Sequence, residues 1–294
     1  MANCLTGAAG YGNTGSAAGL KNLGLGMPVS IIPVIPGFSL AAADFITFAD
    51  WITAIKAREV FPIKNIKEFI DSSTDIEFVE HADKSRSIKD YGKYRYQANV
   101  EVSPCLMKQL MMFRNANVEI LIAYDNNSIL GTTEDDGVTV KGLTTGMFTV
   151  GKPYSKTTAS GTNEGLVPIY FDLDDEQELS KYFYAEEMTW NVKKLDGLTP
   201  ATINTVGDPQ SATEVVVDVI LACAGGCDTP QLGLTKECFV LGSGTVNSLT
   251  STVAGRYTLA CTGAGTSVDL VAPASLPGTD ILIVSTGAAT FSTS

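Results

Sequence analysis

From Tyr94 to Val102 the chain reads Tyr-Arg-Tyr-Gln-Ala-Asn-Val-Glu-Val, apolar and polar residues alternating at every step. A period of two places one set of side chains on a single face of an extended strand, whereas a helix would scatter them around its circumference. The pattern therefore predicts a half-buried strand, and its surroundings extend the reading. Val118–Tyr124 is an apolar run, Asp125-Asn126-Asn127 supplies turn residues, and Ser128–Thr133 returns, which predicts a hairpin. Val138–Val140 and Met147–Val150 extend the sheet, broken by Gly142 and Gly146, and Leu166–Leu173, Met188–Leu195 and Val215–Leu221 add strands. Ile76–Val79 is a shorter one. At 294 residues the chain is long enough for two domains or one large β domain.

Helical spacing is confined to short stretches. Thr47 with Asp50 three residues on resembles a helix start, Phe48, Trp51, Ile52 and Ile55 follow on one face, and Pro62 ends the element. Ser103-Pro104 supplies an N-cap and a first-turn proline for a second helix. Its stripe is Leu106, Leu110 and Phe113, with Met107 and Met111 beside it, and it stops near Asn115–Asn117. The two methionines read as core packing. Asp174-Asp175-Glu176-Gln177-Glu178 opens a third helix, where acids suit the positive N-terminal end; the run lacks the alternating oxygen ligands and central glycine of a calcium loop. The fold class is mainly β with a few short helices (α+β).

Composition divides the chain in three. Residues 1–27 form a glycine-rich arm with seven glycines (Gly7, Gly10, Gly12, Gly15, Gly19, Gly24 and Gly26) and almost no charge. Alone, such a segment would be a flexible coil, so order in it would require a neighbour. Residues 28–227 are the β core. They open on Pro-Val-Ser-Ile-Ile-Pro-Val-Ile-Pro, read as an edge strand or strap because prolines remove ladder donors. His81–Tyr91 is polar and reads as an exposed loop or hairpin tip, and Leu198–Ala212 as a linker or long loop. From Asp228 onward, short apolar runs (Cys238–Leu241, Tyr257–Cys261, Val268–Val271, Ile281–Val284) alternate with Gly/Ser/Thr turns, which predicts a small β-sandwich over residues 228–294.

Catalytic equipment is scarce. His81 is the single imidazole and stands outside any Gly-x-Ser-x-Gly setting; a phosphate loop and a Gly-x-Gly-x-x-Gly fingerprint are both missing. The six cysteines are Cys4, Cys105, Cys223, Cys227, Cys238 and Cys261. The Cys223-Ala-Gly-Gly-Cys227 spacer is one residue longer than the usual zinc pair, so buried hydrophobes are expected, with a Cys223–Cys227 disulfide left open. These features predict a non-enzyme with no cofactor and no metal site. A formal charge of −12, from 32 acidic and 20 basic residues, opposes tight binding to phosphate backbones, and its plainest role is solubility. No membrane contact is expected: no run of 18 apolar residues occurs, and Met27–Ala43 is apolar but interrupted by Pro28, Pro33 and Pro36, unlike a signal peptide.

The order of strand, exposed polar loop, alternating strand, amphipathic helix, hairpin and strand over residues 28–222 resembles that of bacteriophage tail tube (major tail) proteins. The residues that carry it are Tyr94–Val102, the Ser103–Phe113 helix, and the Val118–Tyr124/Ser128–Thr133 hairpin with Val138–Val150 behind it. The resemblance implies a tail-tube-like β-sandwich or barrel core with an immunoglobulin-like sandwich at the C-terminus. It also implies homo-oligomeric rings, hexameric and stacked, meeting other virion tail proteins and passing DNA as non-specific cargo. Localisation would be the virion tail, assembled in the bacterial host cytoplasm. By position, the implied assembly interface is Met27, Val29, Ile31 and Ile32 beside the arm, with His81, Asp83, Lys84, Arg86, Lys89, Asp90 and Tyr91 in the loop. The Thr47–Pro62 helix and the long leader exceed a minimal tube protein, which leaves open a connector, tail-completion or capsid accessory subunit. A secreted or surface carbohydrate-binding module is the remaining alternative.

Overall fold

The computed structural model describes residues 26–75, 77–90, 92–102, 104–133, 138–157, 163–174, 178–179, 182–207, 210–221, 229–263, 265–272 and 282–293. The Gly-rich leader before Gly26, Cys223, Cys227 and the acidic run 175–177 lie outside them. The chain is mainly β and divides into two compact units. One runs up to Trp51 and from Glu59 to Asp196; the other comprises Ile52–Arg58 and the chain from Gly197 onward.

The first unit is a ring of strands. β1 (Pro28–Val34) is followed by β2 (Ser39–Ala41), α1 (Ala42–Phe45) and α2 (Phe48–Lys56), then by β3 (Ile66–Asp71), β4 (Glu77–Glu80), β5 (Arg86–Asp90) and β6 (Tyr94–Glu101). After α3 (Pro104–Leu110) come β7 (Glu119–Tyr124), β8 (Ser128–Thr132), β9 (Thr139–Lys141), β10 (Leu143–Val150), β11 (Tyr154–Thr157), β12 (Asn163–Leu173) and β13 (Phe183–Glu187). β7 pairs with β1, and β1 bridges through Ile31–Ile63 and Val34–Val60 to the segment that becomes β3. β3 pairs with β6, β6 with β12, β12 with β10, and β10 returns to β7. The circuit closes as a small barrel, which leaves none of these strands with a wholly free edge inside the ring. Its interior is filled by one face of each strand: Ile31, Ala98, Val100, Ile120, Ile122, Phe148, Val167, Ile169 and Phe171 share one core, with Leu110 of α3 entering it.

The alternation read at Tyr94–Val102 has the physical basis expected of it. Ala98 and Val100 face the core, while Arg95 on the other face bonds Asp172 at 3.2 Å and Asn99 donates to Glu68 at 2.9 Å. β1 departs from a plain edge strand. Prolines notwithstanding, it lies between β7 and residues 60–63, because the Pro33 carbonyl still accepts from the Phe61 N–H at 2.9 Å. The α1–α2 pair is fixed by aromatic packing. Trp51, fully buried, stacks obliquely on Phe45 and meets Trp190, while its Nε1 donates to the Phe45 carbonyl at 2.6 Å. Half-buried Trp190 donates from Nε1 to the next carbonyl, Ile46, at 3.1 Å, and truncating the fully buried Trp51 would cost about 3–5 kcal/mol. The Thr47 hydroxyl is spent on the Ala43 carbonyl at 3.1 Å.

Three strand expectations are corrected. Ile66–Asp71, not anticipated, is β3. The expected strand at Met188–Leu195 is instead displaced to Phe183–Glu187, which pairs with β8. Residues 192–194 form a single 3₁₀ turn capped by Asn191, with Val192 and Leu195 buried three apart, which is helical rather than strand spacing. Leu198–Ala212 contains β14 (Thr199–Thr205) rather than a linker, since Ala201 and Ile203 alternate inward.

β14 belongs to the second unit, which therefore begins at Gly197, well before the change of texture at Asp228. It continues with β15 (Glu214–Leu221), β16 (Thr229–Pro230), β17 (Phe239–Leu241), β18 (Thr245–Val253), β19 (Arg256–Thr262), β20 (Ser267–Leu270), β21 (Ile283–Ser285) and β22 (Ala289–Thr290). A sheet in the order β18-β19-β15-β14-β21, with β16 alongside β15, shares one core with the β17-β20-β22 sheet. Val215, Val217, Val219, Tyr257 and Leu259 come from the first, and Phe239, Leu241, Val268 and Leu270 from the second. That is a two-layer sandwich. Cys238 and Cys261 are buried free thiols within it, small core residues as expected, and burial pushes the Cys261 thiol up. Tyr257 satisfies its hydroxyl by donating to Gln231 O at 2.8 Å. Opposite Asp218, Arg256 forms a bidentate pair at 2.7 and 2.8 Å.

Candidate functional site

The most distinctive surface is a β-arm that grows out of the β3–β6 pair. Beyond Asp71 the ladder continues irregularly: Ser72 N–H donates to Arg95 O at 2.8 Å and Thr74 N–H to Lys93 O at 3.0 Å. Side chains supply the bonds the backbone loses. Thr74 Oγ1 accepts from Lys93 N–H at 2.8 Å, Ser73 Oγ from Arg95 N–H at 3.1 Å, and Asp71 Oδ1 from Ser73 N–H at 2.8 Å. Gly92 completes this junction at φ +81°, and a Cβ there would sit 2.0 Å from the Thr74 carbonyl oxygen. Only glycine fits.

Past the junction, β4 and β5 pair only with each other among the described residues. Phe78 lies opposite Ile88, Val79 opposite Ser87 and Glu80 opposite Arg86. The turn is held by His81 N–H to Ser85 O at 2.8 Å and Lys84 N–H to His81 O at 2.9 Å, with Lys84 at φ +65°. Asp83 Oδ1 accepts from the Ser85 N–H at 3.0 Å and the Ser85 hydroxyl at 2.6 Å, and these bonds hold its carboxyl below the usual range. His81 Nε2 shares a hydrogen bond with Ser87 Oγ at 2.8 Å, and Lys89 pairs with Glu77 at 2.8 Å. Both partners of that pair are largely solvated, so it adds little stability.

The arm is exposed throughout, including its apolar residues: Phe78 at 58%, Ile88 at 42% and Val79 at 38%. A lone two-stranded ribbon is marginal in water, and paired apolar side chains with nothing over them mark a surface to be covered. Direction matters as well. The described chain enters at Gly26 and Met27, where Met27 and Asp125 exchange two hydrogen bonds at 2.9 Å, beside the β7–β8 turn. β1 bridges residues 60–63 antiparallel, so β3 runs on past Pro28 in the direction from which the chain enters, and the arm leaves where β3 finishes, Asp71 opposite Tyr96. Chain entry and arm thus lie toward the same end of the strands, the arm leaving roughly 20 Å further on, the length of six-residue β3.

The sequence-derived interface residues fall into two groups. His81, Asp83, Lys84, Arg86 and Lys89 share the arm, whereas Tyr91 and the Asp90 side chain lie outside the described residues. Met27 is exposed and Val29 half-buried at the entry end. Ile31 and Ile32 are core, at 0% and 1% exposure, because β1 is flanked on both edges; they offer no surface in the folded chain. Phe78 and Ile88 were missed, although Phe78 stands inside a strand read from sequence. Elsewhere, no group of three or more His, Cys, Asp or Glu among the described residues could hold a metal, and no helix of the described chain is long and apolar enough to cross a membrane. In residues 228–294 the three aromatics, Phe239, Tyr257 and Phe291, are all buried, so they form no stacking platform for a sugar. No protein-family model matches the chain, and a search of curated proteins finds no match either.

Proposed function

We propose that this protein is a self-assembling structural subunit, with rings of copies stacked into a phage tail tube through which DNA passes. The observation that carries the reading is the exposed arm, with Phe78 and Ile88 paired and uncovered on a ribbon that projects beyond the barrel strands. A protruding ribbon that docks on a different surface of the next copy makes a head-to-tail contact, which propagates without closing and so builds a filament. The charge of −12 per copy supports the DNA-passage part, because a repeated negative wall repels phosphate and keeps the cargo mobile. The fold of the second unit, a sandwich with a solvated outer face, suits an outward decoration. The α1–α2 layer with its Trp51–Trp190 cluster favours a second reading, a connector or tail-completion subunit that also assembles through the arm.

Negative-stain microscopy of the purified full chain across a concentration series tests the proposal. Stacked rings or tubes are expected. A chain that stays monomeric at the highest concentration overturns it, and a single closed ring without stacking favours the connector reading.

A further inference from the structure

The smaller sheet of the second unit ends in a strand with an unfilled edge. β17 pairs with β20 in the register Phe239–Leu270, Val240–Asp269 and Leu241–Val268, and among the described residues no strand lies on its other side. The ladder fixes where each backbone group points. Val271 N–H donates to Cys238 O at 3.0 Å and Gly242 N–H to Ser267 O at 2.8 Å, so Cys238, Val240 and Gly242 turn their backbone groups toward β20. Phe239 and Leu241 alternate with them and turn theirs away. The Phe239 N–H is taken by the Lys236 carbonyl, closing the 3₁₀ turn Lys236–Cys238. That leaves the Phe239 carbonyl and both backbone groups of Leu241 without a backbone partner among the described residues.

A cavity of about 370 Å³ lies against this edge, lined by Phe239, Val240 and Leu241 of β17 and by Thr245 and Val246 of β18. Phe239 and Leu241 are core side chains, half-buried Val246 packs against the same core, and Val240 faces out at 46% exposure. β18 does not fill the gap, because it pairs with β19 in the other sheet. The two charged lining residues answer each other: the Lys236 ammonium stands 4.0 Å from the Glu237 carboxylate and donates to Asn247 O at 3.3 Å. The cavity wall is therefore neutral in sum, and its unmet groups are those of a peptide backbone.

We infer that the β17 edge is a strand-addition site, which takes an uncharged extended peptide segment of a partner protein as a fourth strand of the β17-β20-β22 sheet. An N–H and two carbonyls in strand geometry are matched by another extended backbone, which supplies affinity through the ladder while side-chain pockets supply selectivity. Charge sets the class further, since a wall whose Lys236 and Glu237 offset each other has nothing to offer a charged segment. Three edge residues span about 10 Å, so the segment is short. Its inward side chains follow Phe239 and Leu241 toward the cavity beside Val246. The site goes beyond tube assembly, because it places a second kind of partner on the unit that stacking does not use.

Fluorescence anisotropy of the dye-labelled peptide Thr-Val-Thr-Val-Thr-amide, titrated with the full chain below the concentration at which it assembles, tests the site. Saturable binding is expected. With the valine side chains inward beside Phe239 and Leu241, the valine amides face β17 and the central threonine amide faces solvent. N-methylation of both valines should therefore weaken binding at least about tenfold, and N-methylation of the central threonine by no more than about twofold. Val240→Lys, which sets a charge beside the edge, should weaken binding at least about fivefold, whereas Val240→Thr stays within about twofold. Val240 is exposed, so both variants fold, which thermal unfolding checks. No saturable binding, or equal losses from the two methylations, overturns the site. Tubes that require more protein in Val240→Lys would show the edge to be filled by a second copy and overturn the partner; unchanged tubes support it. The peptide titration does not depend on tube assembly, so the two readings fail separately.

Discussion

Two antiparallel strand pairs end in open edges, and they are finished in opposite ways. β18 borders the sandwich and pairs only with β19 among the described residues. It carries Thr, Ser and Asn outward, its register shifts between Val246 and Ser248 and again between Thr250 and Val253, and Val253 is its one exposed large apolar residue. Polar side chains and bulges are how proteins keep an edge from recruiting partners. The β4–β5 arm has one register shift, before Phe78, and then sets Phe78 squarely opposite Ile88 in solvent. One edge is guarded and the other is left to be covered. For the proposed assembly, the contrast predicts that association runs through the first unit and that the second can be perturbed without consequence for it.

The largest effect should come from removing the apolar pair. Phe78→Ser with Ile88→Ser should raise the concentration needed for assembly at least about tenfold while changing monomer stability by no more than about 0.5 kcal/mol, since both side chains are exposed. Sedimentation and thermal unfolding read the two quantities separately. Next is Gly92→Ala, where the positive φ and the clash with Thr74 O should cost about 1–3 kcal/mol at the arm junction. Assembly should weaken several-fold with the barrel's own melting unchanged; lost barrel stability would mean that the arm is not an independent element. The smallest is Asp218→Asn in the sandwich. Its bond to Arg256 holds the Asp218 carboxyl below the ordinary value near 4, so the stabilisation is present at neutral pH and lost as pH falls through that lowered folded-state value. The variant should lower the second unit's stability by about 1 kcal/mol at pH 7, lose that difference in strong acid, and assemble as wild type does. An assembly defect here would break the comparison.

Much of this organisation is legible in the chain itself. Tyr94–Val102 folds as read because it buries the face its alternation defines, and the Val118–Thr133 hairpin forms as read with its apolar run buried on both faces; the α3 stripe seats Leu110, but the helix ends there and Met111–Phe113 make a 3₁₀ turn. What escaped depends on partners distant in sequence. Closing the barrel rests on Ile31 and Val34 meeting Ile63 and Val60, and no local pattern announces a bridge. β14 and β18 were hidden by threonine and serine: few apolar residues alternate in them, yet β-branched threonine suits a sheet once neighbours are in place. The interface was half visible. A polar stretch such as His81–Tyr91 advertises exposure, but exposure of Phe78 and Ile88 can be known only when nothing is found above them. Ile31 and Ile32 show the converse, apolar residues near a terminal segment that turn out to fill the core.

Amide hydrogen exchange of residues 77–90, followed in the dilute chain and again after concentration to the assembled state, tests the central claim most directly. The arm should exchange rapidly when dilute, as an isolated ribbon without burial must, and become protected on assembly, while β18 exchanges equally in both states. Protection that appears on β18 with the arm unchanged would contradict the account.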